Sequence, residues 1–326
     1  MTYESTQVCI FLLNYNSTKY TIDCVESIVN KTKASLDYHI VIIDNGSIES
    51  EFEQLKSSVS GANITLVRSE ENLGFFGGYH IGIKYAPKSE YYYFLNNDCL
   101  LVNDVASILF DFCEKNPNVG ICSGQMLDPE LRPVRSFNYL PTLSLRIFGN
   151  ALLRVFNPKK FPKRSTDYSA PIKVGIVSGS SIFVRKSALD NVGGLDLNYF
   201  LYCEEEELGF AMNTAGYDVY FHPKAKFVHY FGASTKFDQY RRDKEYHISL
   251  FYFYKKNYGM LYKIANQWFL AAKFLCKGIG NVYNLKLALF LIMGAKSKRS
   301  LKNVSVNNTS TFQVNIALKK VKLKAS

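Results

Sequence analysis

The feature that most constrains the fold is an alternation of strand and helix patterns over the first hundred residues. Four continuous apolar runs are typical of strands that are buried on both faces. They occupy residues 8–13, 39–44, 63–69 and 91–95. Helical spacing of apolar residues lies between the first three runs, at 18–32 and 48–58. This order predicts an α/β fold with a mostly parallel sheet and helices on both sides.

Polar segments follow each of these four predicted strands. They are the runs Asn14 to Ser17, Asp44 to Ser47, Ser69 to Gly78 and Asn96 to Asp98. One such segment alone is explained by a turn with a side-chain cap. Four at one edge of a sheet predict a binding site, because ligands of parallel sheets lie beyond the carboxyl ends of the strands. The glycines do not form G-x-G-x-x-G, which argues against a dinucleotide enzyme.

The middle of the chain is less regular. We expect a long, irregular insert near residues 125–171, and residues 131–171 contain five of the nine prolines. A strand pair and a short helix capped by Ser187 should follow, and then an acidic helix that ends at Gly216. Residues 218–223 and 226–235 are predicted as two further strands.

The stretch "FLYCEEEELGFAM" places four glutamates at the start of that acidic helix. At about 100° per residue, Glu204 shares the core-facing side with Leu208, whereas Glu206 points outward. Acidic side chains in a first turn gain roughly 0.3 to 1 kcal/mol from the helix N-terminus, which explains the run in general. It does not explain an inward carboxylate, which needs a positive or protic partner.

Charge and cysteine content narrow the cellular setting. The net charge is +11, and 14 Lys and Arg but no Asp or Glu occur from Phe251 onward, which is typical of contact with an anionic surface. Seven scattered cysteines without a C-x-x-C pair predict reduced thiols in a cytoplasmic protein. The polar N-terminus is unlike a secretory signal. The longest apolar runs are shorter than the roughly 18 to 20 residues of a membrane-spanning helix.

Taken together, the motifs resemble the family 2 glycosyltransferases, which are inverting enzymes of the GT-A fold. The likeness runs from "FLLNYNS" through "VIIDNGS", "NLGFFGGYHIGIKYA", "YYYFLNNDCLL", "VSGSSIFVRKSAL" and the acidic helix to "FVHYFGAS". It is greatest to the bacterial polysaccharide branch, with its rhamnosyl- and galactofuranosyltransferases. The resemblance implies a GT-A domain over residues 1–250 and a basic, largely helical C-terminal region over 251–326.

The resemblance also implies a set of donor-binding residues. They are Asn14, Asp44, Asn72, Gly74, Gly77, Gly78 and Asn96. Asn14 and Asp44 would meet the base and ribose, and the glycines would form a close-approaching loop before a helix. His80 and Ala211 depart from residues that are common in the family, Asn and Arg respectively, so the donor stays open.

A metal site is implied at the fourth strand. The family's D-x-D motif corresponds to Asn96-Asn97-Asp98, in which the first ligand has become a neutral amide. Asp98 and His229, in "FVHYFGAS", are the expected ligands of Mn²⁺ or Mg²⁺ that neutralises the leaving diphosphate. An Asn-Asp turn and a core histidine are the alternatives for these two positions.

The family carries Glu-Asp-x-Asp in the acidic helix, and its second member is the catalytic base. This chain has Glu204, Glu205, Glu206 and Glu207 there, so the resemblance makes Glu205 the base, flanked by Glu204 and Glu207. The base takes the proton of the attacking acceptor hydroxyl. A glutamate in place of aspartate adds one methylene to its reach.

The function implied is inverting transfer from a nucleoside-diphosphate sugar to a saccharide acceptor, which we expect to be lipid-linked, in cell-surface polysaccharide synthesis. Rhamnosyl transfer from dTDP-rhamnose is the best single assignment. The alternative is a catalytically impaired nucleotide-sugar or glycan-binding protein on the same fold. We expect no nucleic-acid partner, because no recognition module is present.

The region from Phe251 onward predicts peripheral attachment to the inner face of the cell membrane. As a helix, "LYKIANQWFLAAKFLCKG" gathers a polar stripe of Lys263, Asn266, Gln267, Lys273 and Lys277, and most of the remainder is apolar. A basic amphipathic helix of this kind binds an anionic leaflet. The alternative is that its apolar face packs on the catalytic domain and the lysines are solvated.

Overall fold

The computed structural model describes residues 5–164, 167–231 and 238–302. Within these ranges the strands are β1 (Thr6–Asn14), β2 (Tyr38–Asn45), β3 (Ile64–Ser69), β4 (Ser89–Asn96), β5 (Cys99–Leu101), β6 (Val119–Leu127), β7 (Phe137–Asn138), β8 (Ile172–Lys173), β9 (Ile176–Val177), β10 (Ser181–Arg185) and β11 (Asp218–His229). The α-helices are α1 (Thr18–Lys31), α2 (Glu49–Ser58), α3 (Phe75–Lys84), α4 (Val105–Lys115), α5 (Leu143–Phe156), α6 (Lys186–Asn191), α7 (Glu204–Thr214), α8 (Gln239–Tyr258), α9 (Met260–Lys277) and α10 (Val282–Ile292).

A large mixed sheet forms the centre of the protein, with the order β3-β2-β1-β4-β10-β6-β11-β5 and β8 paired to β11. β3, β2, β1 and β4 are parallel, as the sequence predicts. β10 is antiparallel to both β4 and β6. The first half of the sheet is therefore fully parallel as expected, whereas the second half is mixed, with β6 and β11 as its parallel pair. The reason is that the chain re-enters the sheet at the carboxyl end of β4, where Ser181 pairs with Leu95.

Helices cover both faces of the sheet. Ile10 and Leu12 of β1 pack into a core with α1 and α4, whereas Cys9 and Phe11 pack into a second core with α3, α6 and α7. Alternate side chains of one strand thus enter two separate cores. This explains why successive residues in the middle of β1 are all apolar.

Two predicted elements differ from the structure. α6 begins at Lys186 with Arg185 as its N-cap residue, so Ser187 lies inside the helix and does not cap it. β10 runs directly into α6 and leaves no room for a separate cap residue. β11 is one strand of 12 residues, although two were predicted. A register shift between His222 and Lys226 absorbs Pro223 without ending the strand.

The insert is more regular than expected. It contains β7, which pairs with β9, and the 14-residue helix α5. None of the α5 residues is buried, and Gly149 breaks the helical conformation with φ of 71°. The helix therefore lies on the surface of the protein.

The helices α8, α9 and α10 pack around a third apolar core, which also includes Tyr199 and Cys203 from the segment before α7. Residue 250 lies inside α8, so the change in charge that suggested a boundary there occurs within one helix. Residues 303–326 of the basic C-terminal region lie outside the described residues. No described helix is both long and apolar enough to cross a membrane.

The orientation of α9 corrects the predicted polar stripe. Asn266 and Gln267 are buried, and Gln267 Nε2 donates to the Leu291 carbonyl of α10 at 2.9 Å. The surface of α9 instead carries Leu261, Ile264 and Trp268, which are 85%, 40% and 55% exposed. Two polar residues of the predicted stripe are thus buried, and part of the apolar surface of α9 faces outward.

The cysteines agree with the expected reduced thiols. All seven lie in the described ranges and are free. Six are buried, and Cys276 is exposed. Burial raises the pKa of the Cys9 and Cys99 thiols, so both remain protonated.

Candidate active site

The carboxyl ends of β1, β2 and β4 meet at one edge of the sheet. Asn14 pairs in register with Asp44, and Leu13 pairs with Asn96. The polar segments that follow these strands therefore lie side by side, as the sequence predicts. This edge is the candidate active site.

Asn14 and Asp44 form a buried pair below this edge. Asn14 Nδ2 donates to Asp44 Oδ2 at 2.9 Å, and Asn14 Oδ1 accepts from the Thr21 hydroxyl at 2.8 Å. Both side chains are fully buried. Burial raises the pKa of Asp44, although hydrogen bonds from Ser47 and Asn14 oppose the rise. In this conformation the two side chains hold the ends of β1 and β2 together, and neither is exposed to a ligand.

A cleft of about 170 Å³ opens above this pair. Its lining includes three of the expected donor-binding residues, Asn72, Gly74 and Asn96. The remaining lining residues were not predicted to bind the donor. They are Leu13, Tyr15, Asn45, Phe75, Asn97, Phe200 and Leu201. Asn45 and Asn97 come directly after Asp44 and Asn96, so their position next to predicted donor-binding residues is the sequence signal that could have found them.

Asn45 fixes the loop that forms one wall of the cleft. Its Nδ2 donates to Asn72 Oδ1 at 3.1 Å and to the Gly74 carbonyl at 3.0 Å. Its Oδ1 accepts from the Leu73 backbone N–H at 3.0 Å. The loop is joined to the segment before α7, because the Phe75 N–H donates to the Phe200 carbonyl at 2.9 Å.

The three selected glycines serve different purposes. Gly74 has φ of 78°, and a Cβ there would lie 2.2 Å from the Phe200 carbonyl oxygen, so only glycine fits. Gly77 and Gly78 lie inside α3, not in a loop. A Cβ on Gly78 would lie 2.3 Å from Leu13 Cδ1. Gly78 therefore permits close packing of α3 on β1.

The side chains of the Asn96-Asn97-Asp98 segment point in two directions. Asn97 Nδ2 donates to the Ser17 and Thr21 hydroxyls at 2.7 and 2.8 Å, which directs this side chain toward α1. Asp98 and His229 meet because β5 pairs with β11, with Cys99 opposite His229. His229 Nε2 lies 3.1 Å from Asp98 Oδ1 and 3.5 Å from Asn96 Nδ2. The last residues of the "FVHYFGAS" motif, 232–234, lie outside the described residues.

The donor set at this point suits a hard divalent cation. One ligand atom each of Asp98, Cys99 and His229 lies within 4.8 Å of the others. Carboxylate oxygen and imidazole nitrogen are ligands that Mn²⁺ accepts, whereas a thiol suits softer metals. Cys99 Sγ also points to the Ser180 carbonyl at 3.6 Å. Asp98 and His229 are therefore the residues that fit the metal, with the Asn96 amide beside them.

Glu205, in the first turn of α7, lies against a turn that leads to the end of β4. Its carboxyl carbon is 3.4 Å from the position that a Cβ would take on Gly179. The next residue, Ser180, accepts a hydrogen bond from the Asn96 backbone N–H at 2.9 Å. The Ser178–Ser180 turn thus separates Glu205 from the end of β4.

Of the two glutamates on either side of Glu205, Glu204 matches the helix pattern and Glu206 does not. Glu204 is buried, as expected, and its Oε1 has no hydrogen-bond partner among the described residues. Glu206 was expected to face outward, but it is only half-exposed and its Oε2 is enclosed without a partner. Tyr246 of α8 lies close enough to interact electrostatically with Glu206, so a helix from the C-terminal region stands beside the side that a free helix would expose. Burial raises the pKa of Glu204, Glu205 and Glu206, and repulsion from Glu205 adds to the rise at Glu204 and Glu206.

Glu207 belongs to a structural network. Its Oε2 accepts from the Tyr199 hydroxyl at 2.9 Å and from Asn257 Nδ2 at 2.7 Å. Its Oε1 lies 2.6 Å from Lys256 Nζ, which also contacts Asp196 at 2.7 Å. Glu207 thereby fastens α7 to α8. Of the three expected catalytic glutamates, it is the one whose oxygens are already taken.

The start of α7 is held in an uncommon conformation. Tyr202 and Cys203 have φ of 71° and 64°, values that few residues other than glycine adopt. Such residues persist where surrounding packing holds them, often at functional sites. Cys203 is buried in the core formed with α8, α9 and α10. The C-terminal helices therefore help to set the direction of the glutamates.

Comparisons with known proteins agree with this arrangement. The family model described as Glycosyl transferase family 2 matches residues 9–193. The chain is 29% identical over 168 residues to the N-acetylglucosaminyl-diphospho-decaprenol L-rhamnosyltransferase of Mycobacterium tuberculosis, covering 50% of this chain and 54% of that protein. It is 27% identical over 148 residues to the Rhamnosyltransferase WbbL of Escherichia coli, covering 45% and 55%. The chain thus spans about half the length of the curated relatives it matches.

A solved structure shares the fold at low identity. It is the crystal structure of GalNAc-T7 with UDP, GalNAc and Mn²⁺, with a TM-score of 0.52 and 13% identity. The match covers 75% of this chain and 47% of that one. At this identity the likeness concerns the fold alone, and it agrees with the expected GT-A architecture.

Proposed function

Because the chain belongs to glycosyltransferase family 2, we propose that it moves a sugar from a nucleoside-diphosphate sugar to a saccharide acceptor, with inversion at the anomeric carbon. One observation carries this proposal. Asp98 and His229 meet 3.1 Å apart at the end of β4, and a single turn, Ser178–Ser180, links that strand end to Glu205. Groups suited to the diphosphate and to the acceptor hydroxyl thus flank one edge of the sheet.

Each residue has a role in the proposed reaction. The acceptor oxygen attacks the anomeric carbon, and the bond from that carbon to the diphosphate oxygen breaks with its electron pair on the diphosphate. Glu205 takes the proton of the acceptor hydroxyl, since its carboxyl group lies against the Ser178–Ser180 turn next to β4. Asp98 and His229 would hold Mn²⁺ or Mg²⁺, which stabilises the charge of the leaving diphosphate. Asn72, Gly74 and Asn96 line the cleft in which the donor would lie.

The raised pKa of Glu205 suits a general base. A base is most effective when its pKa approaches the working pH, and burial moves this carboxyl upward. Glu205 must be deprotonated to act, so the rate should fall as the pH drops through its pKa. Burial is likewise the largest cause of the raised pKa values of Glu204 and Glu206, and repulsion from Glu205 adds to both.

We assign dTDP-rhamnose as the donor and a lipid-linked saccharide as the acceptor. Both curated relatives carry rhamnosyltransferase in their names, and one name includes a diphospho-decaprenol acceptor. A lipid-linked acceptor would place the enzyme at the inner face of the cell membrane. The region from Phe251 onward would dock there through the apolar residues that α9 exposes, including Leu261 and Trp268.

The test is a transfer assay with purified protein, dTDP-rhamnose and a short-chain lipid-linked saccharide. The proposal expects release of dTDP that depends on the acceptor, with one new glycosidic bond of inverted configuration. A panel of other nucleotide sugars in a thermal-shift assay identifies the donor if rhamnose fails. Failure of every donor to be transferred would contradict the proposal.

The alternative is a nucleotide-sugar or glycan-binding protein that has lost turnover. Asn96 favours it, because a neutral amide stands where the family places an acidic ligand, and its Nδ2 lies 3.5 Å from His229. Binding of a nucleotide sugar with neither hydrolysis nor transfer, with and without acceptor, would support this alternative. Acceptor-dependent turnover excludes it.

A further inference from the structure

The helix α5 of the insert exposes an apolar stripe. Ile147, Phe148, Leu152, Val155 and Phe156 follow helical spacing, and their exposure ranges from 45% to 79%. Gly149 divides the stripe: Ile147 and Phe148 precede it, and Leu152, Val155 and Phe156 follow it on one side of the second half of α5. All five are large, exposed apolar side chains of an element that contributes no buried residue.

The polar residues of α5 point the other way, toward the protein. Arg146 Nε donates to the Tyr254 hydroxyl at 2.9 Å, and Arg154 Nε donates to the Phe161 carbonyl at 2.9 Å. A surface helix of a water-soluble protein has the opposite arrangement, with its apolar side toward the core. Exposed apolar patches of this kind mark contact surfaces for other proteins or for membranes.

Basic residues surround this stripe. Residues 131–166 contain eight Lys and Arg and no Asp or Glu. Behind the helix, a cavity of about 570 Å³ is lined by Arg135, Arg154, Lys163 and Arg164, with Asp167 as its single acidic residue. Lys159 and Lys160 are exposed just beyond the end of α5. Lys159, Lys160 and the basic residues that line the cavity thus form a cationic border at the carboxyl end of the stripe.

α5 is joined to the C-terminal helices. The Leu143 backbone N–H at its start donates to the Tyr262 hydroxyl of α9 at 2.6 Å. α9 exposes Leu261, Ile264 and Trp268, and the neighbouring α10 exposes Leu289. The insert and the C-terminal region, far apart in sequence, therefore present outward apolar stripes on helices that are in contact.

We propose that α5 is a membrane-docking helix, whose apolar stripe enters the interfacial region of an anionic phospholipid bilayer while the surrounding Lys and Arg bind head-group phosphates. Charge decides the occupant: an anionic bilayer complements the cationic border, whereas a second copy of this chain would bring like charges together. Helices with an apolar side and basic residues at its border lie in the plane of the interface. The inference deepens the proposed function, on which it rests for the reason to work at a membrane.

The chain contains one tryptophan, Trp268, so a fluorescent reporter can be moved from α9 to α5. The double variant Trp268→Phe, Phe156→Trp carries the reporter on α5 at a position that is 79% exposed. With vesicles of equal parts phosphatidylglycerol and phosphatidylcholine at low salt, we expect its emission to shift to shorter wavelength. The shift should be lost at high salt, because exposed charges are screened.

A charge variant tests the basic border. Lys159→Gln with Lys160→Gln should weaken vesicle binding by roughly tenfold or more, because each Lys or Arg near an anionic leaflet contributes about 1 kcal/mol. The matched control is Lys88→Gln with Lys115→Gln, which removes two exposed lysines near the amino ends of β4 and β6. The control should bind like the parent protein. No measurement uses transfer activity, so the docking inference and the proposed function can fail separately.

Three results would overturn the inference. The α5 reporter could stay in water while Trp268 in the parent protein shifts, which would leave docking to α9 alone. The reporter could shift with protein concentration in the absence of vesicles, which would show a second copy on this surface. Equal binding to pure phosphatidylcholine would remove the role of the basic border.

Discussion

Lys256 Nζ of α8 lies 2.6 Å from Glu207 Oε1 of the acidic helix. Because of this contact and the hydrogen bonds from Tyr199 and Asn257, Glu207 has a different role from the neighbouring glutamates. Glu207 stabilises the joint between the catalytic sheet and the C-terminal helices. Its oxygens are occupied before any acceptor arrives.

We therefore expect Glu207→Gln to lower the free energy of unfolding by about 2 kcal/mol, the usual value of hydrogen bonds to a charged group. Chemical denaturation measures the loss. Glu53→Gln is the matched control, because Glu53 pairs with Lys56 on the surface and such pairs contribute about 0 to 1 kcal/mol. Equal stability of the two variants would contradict a structural role for Glu207.

Removal of the metal should abolish transfer. Asp98 supplies the carboxylate next to His229, so Asp98→Ala should reduce turnover at least as far as excess chelator does. Added Mn²⁺ should restore the activity of the chelator-treated wild type but not that of Asp98→Ala. Ser123→Ala, a buried position in β6, serves as a control for folding near the site. Full wild-type activity in excess chelator would show that no metal is needed.

The raised pKa of Glu204 should make the free energy of unfolding depend on pH. Burial raises its pKa in the folded chain, so the folded state holds this proton more tightly than the unfolded state does. The folded state is therefore favoured below the ordinary glutamate pKa and loses stability as the pH rises toward the raised value. Glu204→Gln should stabilise the protein at pH 8 by about 1 kcal/mol or more, since it removes a buried carboxylate whose Oε1 has no hydrogen-bond partner among the described residues. The gain should shrink at acidic pH. A gain that is the same at both pH values would contradict this assignment.

Gly74 tests the join between the donor loop and the acidic helix. Gly74→Ala combines a positive φ with a Cβ 2.2 Å from the Phe200 carbonyl oxygen, so we expect a loss of stability of about 2 to 4 kcal/mol and weaker donor binding. Gly216→Ala is the matched control. It has φ of 86° but nothing within 4 Å, so it should cost only about 1 kcal/mol. Similar losses in both variants would show that the contact with Phe200 is unimportant.

The sequence predicted the first half of the fold because local patterns determine it. The middle residues of β1 and β2 are apolar on both faces since both faces are covered, and their polar carboxyl ends mark the site edge. Asn96, Asp98 and His229 come together as expected, because β5 pairs with β11.

The remaining differences arise from tertiary contacts that a periodic pattern does not contain. Glu206 is enclosed by helices from the far end of the chain, and Asn266 and Gln267 face α10 although helical spacing placed them with the lysines. Asn14 and Asp44 satisfy each other beneath the cleft, which no single strand motif reveals. The role of Glu207 likewise depends on Lys256, which lies 49 positions later in the chain.

Glu205 is the residue on which the account of the chemistry depends. The most direct test is single-turnover transfer by Glu205→Gln beside donor affinity measured by calorimetry, with Glu206→Gln as the matched neighbour. Glutamine keeps the shape but not the basicity, so we expect transfer to slow by on the order of 10² to 10⁴ while the Kd for the nucleotide sugar is unchanged. Glu206→Gln should transfer within about tenfold of the wild type. Near-normal transfer by Glu205→Gln would contradict its assignment as the base.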